Sequence, residues 1–276
     1  MEIRIRQATP LLNLVTYVQS AQGTTATQRF SSPTSSPSPS KSPSTRPGPT
    51  KPISEACVRA HSFVSPNCPA HYDSINQCLS LTDVRQGHHL WNAGRTTSTY
   101  LEQHAAKLVR GKTVLELGAG AGLPSLVCAL NGARQTVVTD YPDAELIDNL
   151  QYNIDHCKLL HAPPPIVAEG YLWGAPIEDI TKHLPESDKA FDVLILADLL
   201  FNHSEHAKLI KTVQLTLKKS PDARAYVFFT PYRPWLLEKD LAFFDLAREA
   251  GFAVEKTFEK VMEKVMFEED PGVSIS

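Results

Sequence analysis

Three alternating glycines, Gly118, Gly120 and Gly122, follow the apolar run "TVLEL" and precede a helix-like stretch that begins "LPSLVCAL". Glycine at such a turn lets a ligand come close to bare main chain, and Pro124 suits the first turn of the helix behind it. A dinucleotide fingerprint wants glycine or alanine three positions after the second glycine, and that position is Leu123. A Walker loop wants Gly-Lys-Ser or Gly-Lys-Thr, and neither follows. Asp140, which ends "QTVVTD", lies where a carboxylate can accept from ribose hydroxyls, or alternatively cap the helix of "PDAELIDNL".

The pattern that the turn does fit is E-x-G-x-G-x-G, here Glu116, Gly118, Gly120 and Gly122. It resembles the first motif of class I methyltransferases, whose S-adenosylmethionine carries a sulfonium and a methionine zwitterion in place of a pyrophosphate. Close backbone approach then matters more than an anion cradle.

These residues need a sheet to hold them. From residue 88 onward, short apolar runs alternate with amphipathic stretches, which predicts an α/β fold with a doubly wound, mostly parallel sheet of the Rossmann-like kind. The runs place strands at about 113–117, 135–139, 165–168, 191–197, 224–230 and 252–258. A helix is expected near 96–109, capped by Thr97 or Ser98, with Leu101, Ala105 and Leu108 on one face. Ligands of such sheets bind beyond the carboxyl ends of the strands.

Lys plus Arg number 27 and Asp plus Glu 30, so no global positive field is available for nucleic acid or an anionic membrane. The most apolar stretch, "FDVLILADLLF", is too short for a bilayer span and contains two aspartates. Five cysteines without a CxxC pair suggest neither a disulfide framework nor a zinc knuckle, and a reducing compartment is the default. Residues 1–55 are expected to be a disordered segment, Ser/Thr/Pro-rich from Thr24, although Arg4, Arg6 and "LLNLV" also leave a targeting peptide open. Residues 56–87 carry no clear period, and residues 88–276 form the expected catalytic domain.

With "HLWNAGRTT" ahead of the turn and "LILADLLFNHSEH" and "FFTPYRPWLLEKDLAFFDLAREAGF" behind it, the chain closely resembles the fungal elongation factor methyltransferase 7 group. That group lies within the lysine methyltransferase-like family, and the likeness runs from about His89 to Asp270. The resemblance implies a cytoplasmic, monomeric enzyme that uses S-adenosylmethionine to methylate the N-terminal glycine and adjacent lysine of translation elongation factor 1-alpha. Carried onto matching positions, the cofactor shell would be Trp91, Gly118, Ala119, Gly120, Asp140, Trp173 and Ala197. Asp198, Phe201 and Asn202 of "DLLFN" stand where related amine methyltransferases carry Asp-x-x-Tyr or Asn-Pro-Pro-Tyr. Asp198 would accept from the amine and Phe201 would face the methylammonium, though without the usual tyrosine hydroxyl. Tyr232 and Arg233 of "TPYRPW" are candidates for the substrate wall.

His203 and His206 have no third ligand at a useful spacing, so they are read as solvated helix residues and no metal site is expected. The related enzymes close their sheet with an antiparallel strand after "MFEED", and only a short stub follows here. "AYVFF" would then have an unpaired edge, and the strand at 252–258 no ladder partner. A nicotinamide-like small-molecule methyltransferase and a non-catalytic cofactor-binding remnant remain as alternatives, with a nicotinamide-dependent oxidoreductase behind both.

Overall fold

The structure, a computed structural model, describes residues 11–19 and 91–262. The Ser/Thr/Pro-rich stretch, the segment 56–87 and the stub after "MFEED" lie outside the described residues. A seven-stranded sheet is built from β1 (Leu11–Gln19), β2 (Thr113–Leu117), β3 (Gln135–Asp140), β4 (Ile166–Gly170), β5 (Val193–Ala197), β6 (Arg224–Phe229) and β7 (Ala253–Met262). The helices are α1 (Asn92–Gln103), α2 (Ala105–Leu108), α3 (Leu123–Leu130), α4 (Ala144–His156), α5 (Glu178–Thr181), α6 (His206–Thr216) and α7 (Leu237–Glu249).

Helices cover both faces of the sheet, so its strands are apolar at odd and even positions alike. Leu194, Leu196, Val227 and Phe229 face one side, where they meet Leu209 and Val213 of α6 and Phe243, Phe244 and Ala247 of α7. Val193, Ile195, Tyr226 and Phe228 face the other, against Ala93 and Leu101 of α1. Full burial of each valine, leucine, isoleucine or phenylalanine among them contributes roughly 1.5–3 kcal/mol.

The strand order is β4-β3-β2-β5-β6-β1-β7, and every ladder is parallel. From β2 the chain winds outward through β3 and β4, then returns to lay β5 on the opposite flank of β2. The switch point therefore lies between β2 and β5, which puts the glycine turn and Asp198 side by side at the strand tips.

Two expectations require correction. Residues 11–19, placed in the disordered segment, form β1, and β1 pairs with β6 from Leu11↔Arg224 to Thr16↔Phe229 and with β7 from Leu11↔Ala253 to Gln19↔Met262. The gap between β6 and β7 is thus filled by a parallel strand from the amino-terminal region, and neither flanking strand lacks a partner. The β-forming residues of "LVTYV" are consistent with this, but their ladder partners lie far along the chain. In addition, α1 begins at Asn92 instead of near 96. Thr97 and Ser98 lie inside it and donate their hydroxyls to Ala93 O and Gly94 O, each at 2.7 Å.

At the end of β2, the buried Glu116 carboxyl accepts from Ser125 N at 2.9 Å and from Ser125 Oγ at 2.5 Å, tying the strand to α3 across the glycine turn. Burial pushes its pKa up to about 8, and the two Ser125 donors offset only part of that cost.

Proline at Thr16 would remove a main-chain N–H from β1 and is expected to lower stability by about 2–3 kcal/mol in chemical denaturation; an unchanged midpoint would contradict the strand's place in the sheet. Because Glu116 is raised on folding, its contribution is full below the unfolded carboxyl range and is lost as pH rises toward 8. The stability of the parent relative to Glu116→Gln should therefore decline between about pH 5 and pH 8, and a flat difference would count against a buried acid.

Candidate active site

Gly118, Gly120 and Gly122 all adopt the left-handed conformation, with φ of 57°, 57° and 74°. A Cβ on Gly118 would lie 2.6 Å from Leu199 Cδ2 and 3.2 Å from the Trp173 ring, so a side chain there would displace both neighbours in addition to straining the left-handed φ. The turn is held to β3 by two bonds: Ala119 N donates to Thr139 O at 2.9 Å, and Gly120 N donates to Asp140 Oδ2 at 2.7 Å. The cap of α4 is Asp143, which accepts from Glu145 N, so Asp140 is left at the strand tip beside the glycines.

Trp173 lies against this turn from the loop after β4. Its position is fixed from behind by α6, where Thr212 Oγ1 accepts from Gly174 N at 2.8 Å and Lys211 Nζ donates to Gly174 O at 2.8 Å. Thr212 is not singled out by sequence reasoning; its place on the face of α6 shared with Leu209, Val213 and Thr216 is the only local signal. Ala197 ends β5 opposite Phe228 and packs on the α1 side of the core. Trp91 precedes α1, and its ring meets that of Tyr232 edge-on at 5.3 Å. It is thus brought to the neighbouring cleft, where Tyr232 was expected.

Asp198 has φ 56°, a sparsely populated conformation for a residue with a side chain. Its buried carboxylate accepts from Ala93 N at 3.0 Å, Thr230 N at 2.6 Å and Tyr232 OH at 3.1 Å. It therefore caps α1 from a distance and joins the ends of β5 and β6. Desolvation pushes its pKa up to about 6 in spite of these donors. A carboxylate has about four acceptor positions, so little capacity is left for an incoming amine. Burial and the adjacent Asp198 charge keep the Tyr232 hydroxyl protonated.

Beyond Asp198 a cleft opens between the loops after β5 and β6, lined by Leu200, Phe201, Phe229, Thr230, Tyr232, Arg233 and Asp240. Phe201 is 60% exposed at its rim. Arg233 Nη2 donates to Phe201 O at 2.6 Å and so links the two loops. Asn202 is turned to local work, its Oδ1 accepting from Ser204 Oγ at 2.9 Å.

The histidines are not solvated as expected. His206 is buried, with Nε2 2.9 Å from Leu200 O and its ring edge-on to Phe243, and burial lowers its pKa. His203 Nε2 lies 2.6 Å from Asp240 Oδ1. Asp240 was missed by the sequence analysis, although its spacing to Phe243, Phe244 and Ala247 puts an acid on the buried stripe of α7.

Residues 78–250 match the family described as lysine methyltransferase, a span that includes both the glycine turn and the cleft. The chain is 52% identical over 184 residues to the protein N-terminal and lysine N-methyltransferase efm7 of Aspergillus fumigatus, covering 66% of this chain and 71% of that one. It is 53% identical to the protein of the same name from Neurospora crassa, covering 68% of each chain. Against that of Schizosaccharomyces pombe it is 48% identical, covering 67% and 71%. The bare left-handed turn, the carboxylate of Asp140 beside it and the indole of Trp173 against it fit the methyl donor of such enzymes. The chain belongs to the lysine methyltransferase family and is an S-adenosylmethionine-dependent methyltransferase.

Proposed function

We propose that the chain methylates the N-terminal glycine and the adjacent lysine of translation elongation factor 1-alpha, acting as a monomer in the cytoplasm. The observation that carries this reading is the identity of about half to relatives named for protein N-terminal and lysine methylation. The small cleft beyond Asp198, with Phe201 exposed at its rim, supports it by placing aromatic and acidic side chains at the carboxyl end of β5.

When bound, S-adenosylmethionine supplies a methyl group activated by positive sulfur. The protein then has to present a neutral amine in line and keep water away. Gly118, Ala119 and Gly120 admit the donor along bare backbone, Asp140 holds its sugar hydroxyls, and Trp173 shields the turn. Asp198 acts mainly by fixing α1 and the Thr230–Tyr232 segment around the amine, with its last acceptor position available for orientation. Phe201 and Tyr232 offer ring faces to the cationic product. Trp91 buttresses Tyr232.

Asp140→Ala is expected to weaken S-adenosylhomocysteine binding by about tenfold or more in calorimetry, and an unchanged affinity would remove Asp140 from the cofactor site. Radiolabel transfer should go to elongation factor 1-alpha in preference to nicotinamide, and label found only on the small amine would overturn the protein-substrate reading.

A further inference from the structure

Asp240 lies in the first turn of α7, only 5% exposed, yet it lines the cleft. Its Oδ1 accepts from His203 Nε2 at 2.6 Å. Among the described residues no other hydrogen bond reaches this carboxylate. Its other oxygen is not sealed in the core but opens on the cleft, where a cation or strong donor from outside can complete it. Arg233 does not do so, since it is tied to the Phe201 carbonyl and forms no ion pair with Asp240 or Asp198. The walls of the same cleft are aromatic, from Phe201, Phe229 and Tyr232. A carboxylate floor within aromatic walls suits an ammonium on an aliphatic stem.

We propose that Asp240, steered by His203, anchors the ammonium of a substrate lysine that is not the amine being methylated. Asp240 thereby becomes a specificity residue, and His203 a positioning residue that acts through it. The inference rests on the protein-substrate reading given above. It also separates the two carboxylates of the cleft: Asp198 takes three protein donors, whereas Asp240 takes one and is kept for the ligand.

The test compares initial rates of methyl transfer to the terminal glycine amine, read by fragment mass spectrometry, on two peptides with the elongation factor sequence, one beginning Gly-Lys and one Gly-norleucine, which keeps most of the stem and loses the charge. The parent enzyme should favour the lysine peptide by about tenfold or more in kcat/KM. Asp240→Asn should collapse that ratio. His203→Gln, which still offers a donor, should keep more of the ratio than His203→Ala. A role confined to holding α7 in place would slow both peptides equally and leave the ratio intact in folded variants, and that result would overturn the proposal. Equal use of both peptides by the parent would overturn it too. No transfer by the parent to either peptide or to elongation factor 1-alpha would instead remove the protein-substrate reading, and this inference with it.

Discussion

The carboxylate of Asp198 stands where three parts of the chain converge: the first turn of α1, the end of β5 and the loop after β6. The two main-chain donors, Ala93 N and Thr230 N, would each be costly to bury unpaired. One side chain satisfies both and the Tyr232 hydroxyl as well. In return the carboxylate is taken out of water, which is why its affinity for a proton rises. The left-handed backbone at Asp198 is the further cost of aiming it inward. A rigid junction results, and the cleft walls hang from it.

The sheet supplies the second constraint. Because the winding reverses between β2 and β5, the turn that meets the cofactor and the junction that shapes the cleft stand on adjacent strands. Transfer chemistry needs donor and acceptor sites only a bond length apart at the moment of reaction, and this topology provides that proximity without long loops. The cofactor side is held by main-chain bonds from Ala119 and Gly120 to the end of β3, so its geometry depends little on side-chain rotamers. On the cleft side the bonds from Asp198, Arg233 and His203 run through side chains, so its shape depends on their rotamers.

Much of this was legible in the chain itself. The six strands from β2 to β7 follow from apolar runs of the right length, and the glycine turn from its spacing. What escaped were interactions between residues remote in sequence. The start of α1 was misplaced because its first turn is capped by Asp198 and by no neighbouring hydroxyl, and a local capping signal therefore pointed to the wrong residues. His203 and Asp240 were individually visible, but helix phase alone does not say that one faces the other. Asp198 was identified as important for its place at a strand tip, whereas the role of its carboxylate as a brace depends on donors a hundred residues upstream and some thirty downstream. Strand β1 was overlooked for the same reason, its partners being β6 and β7.

That strand has a kinetic corollary. Among the described strands β1 is made first, and its two ladder neighbours are made last. The segment has to wait for them without these hydrogen bonds, and its docking joins the described strands that are most widely separated in sequence. Closure of the β6–β7 gap has to follow the synthesis of β7, and a β-forming segment is open to other partners in the interval.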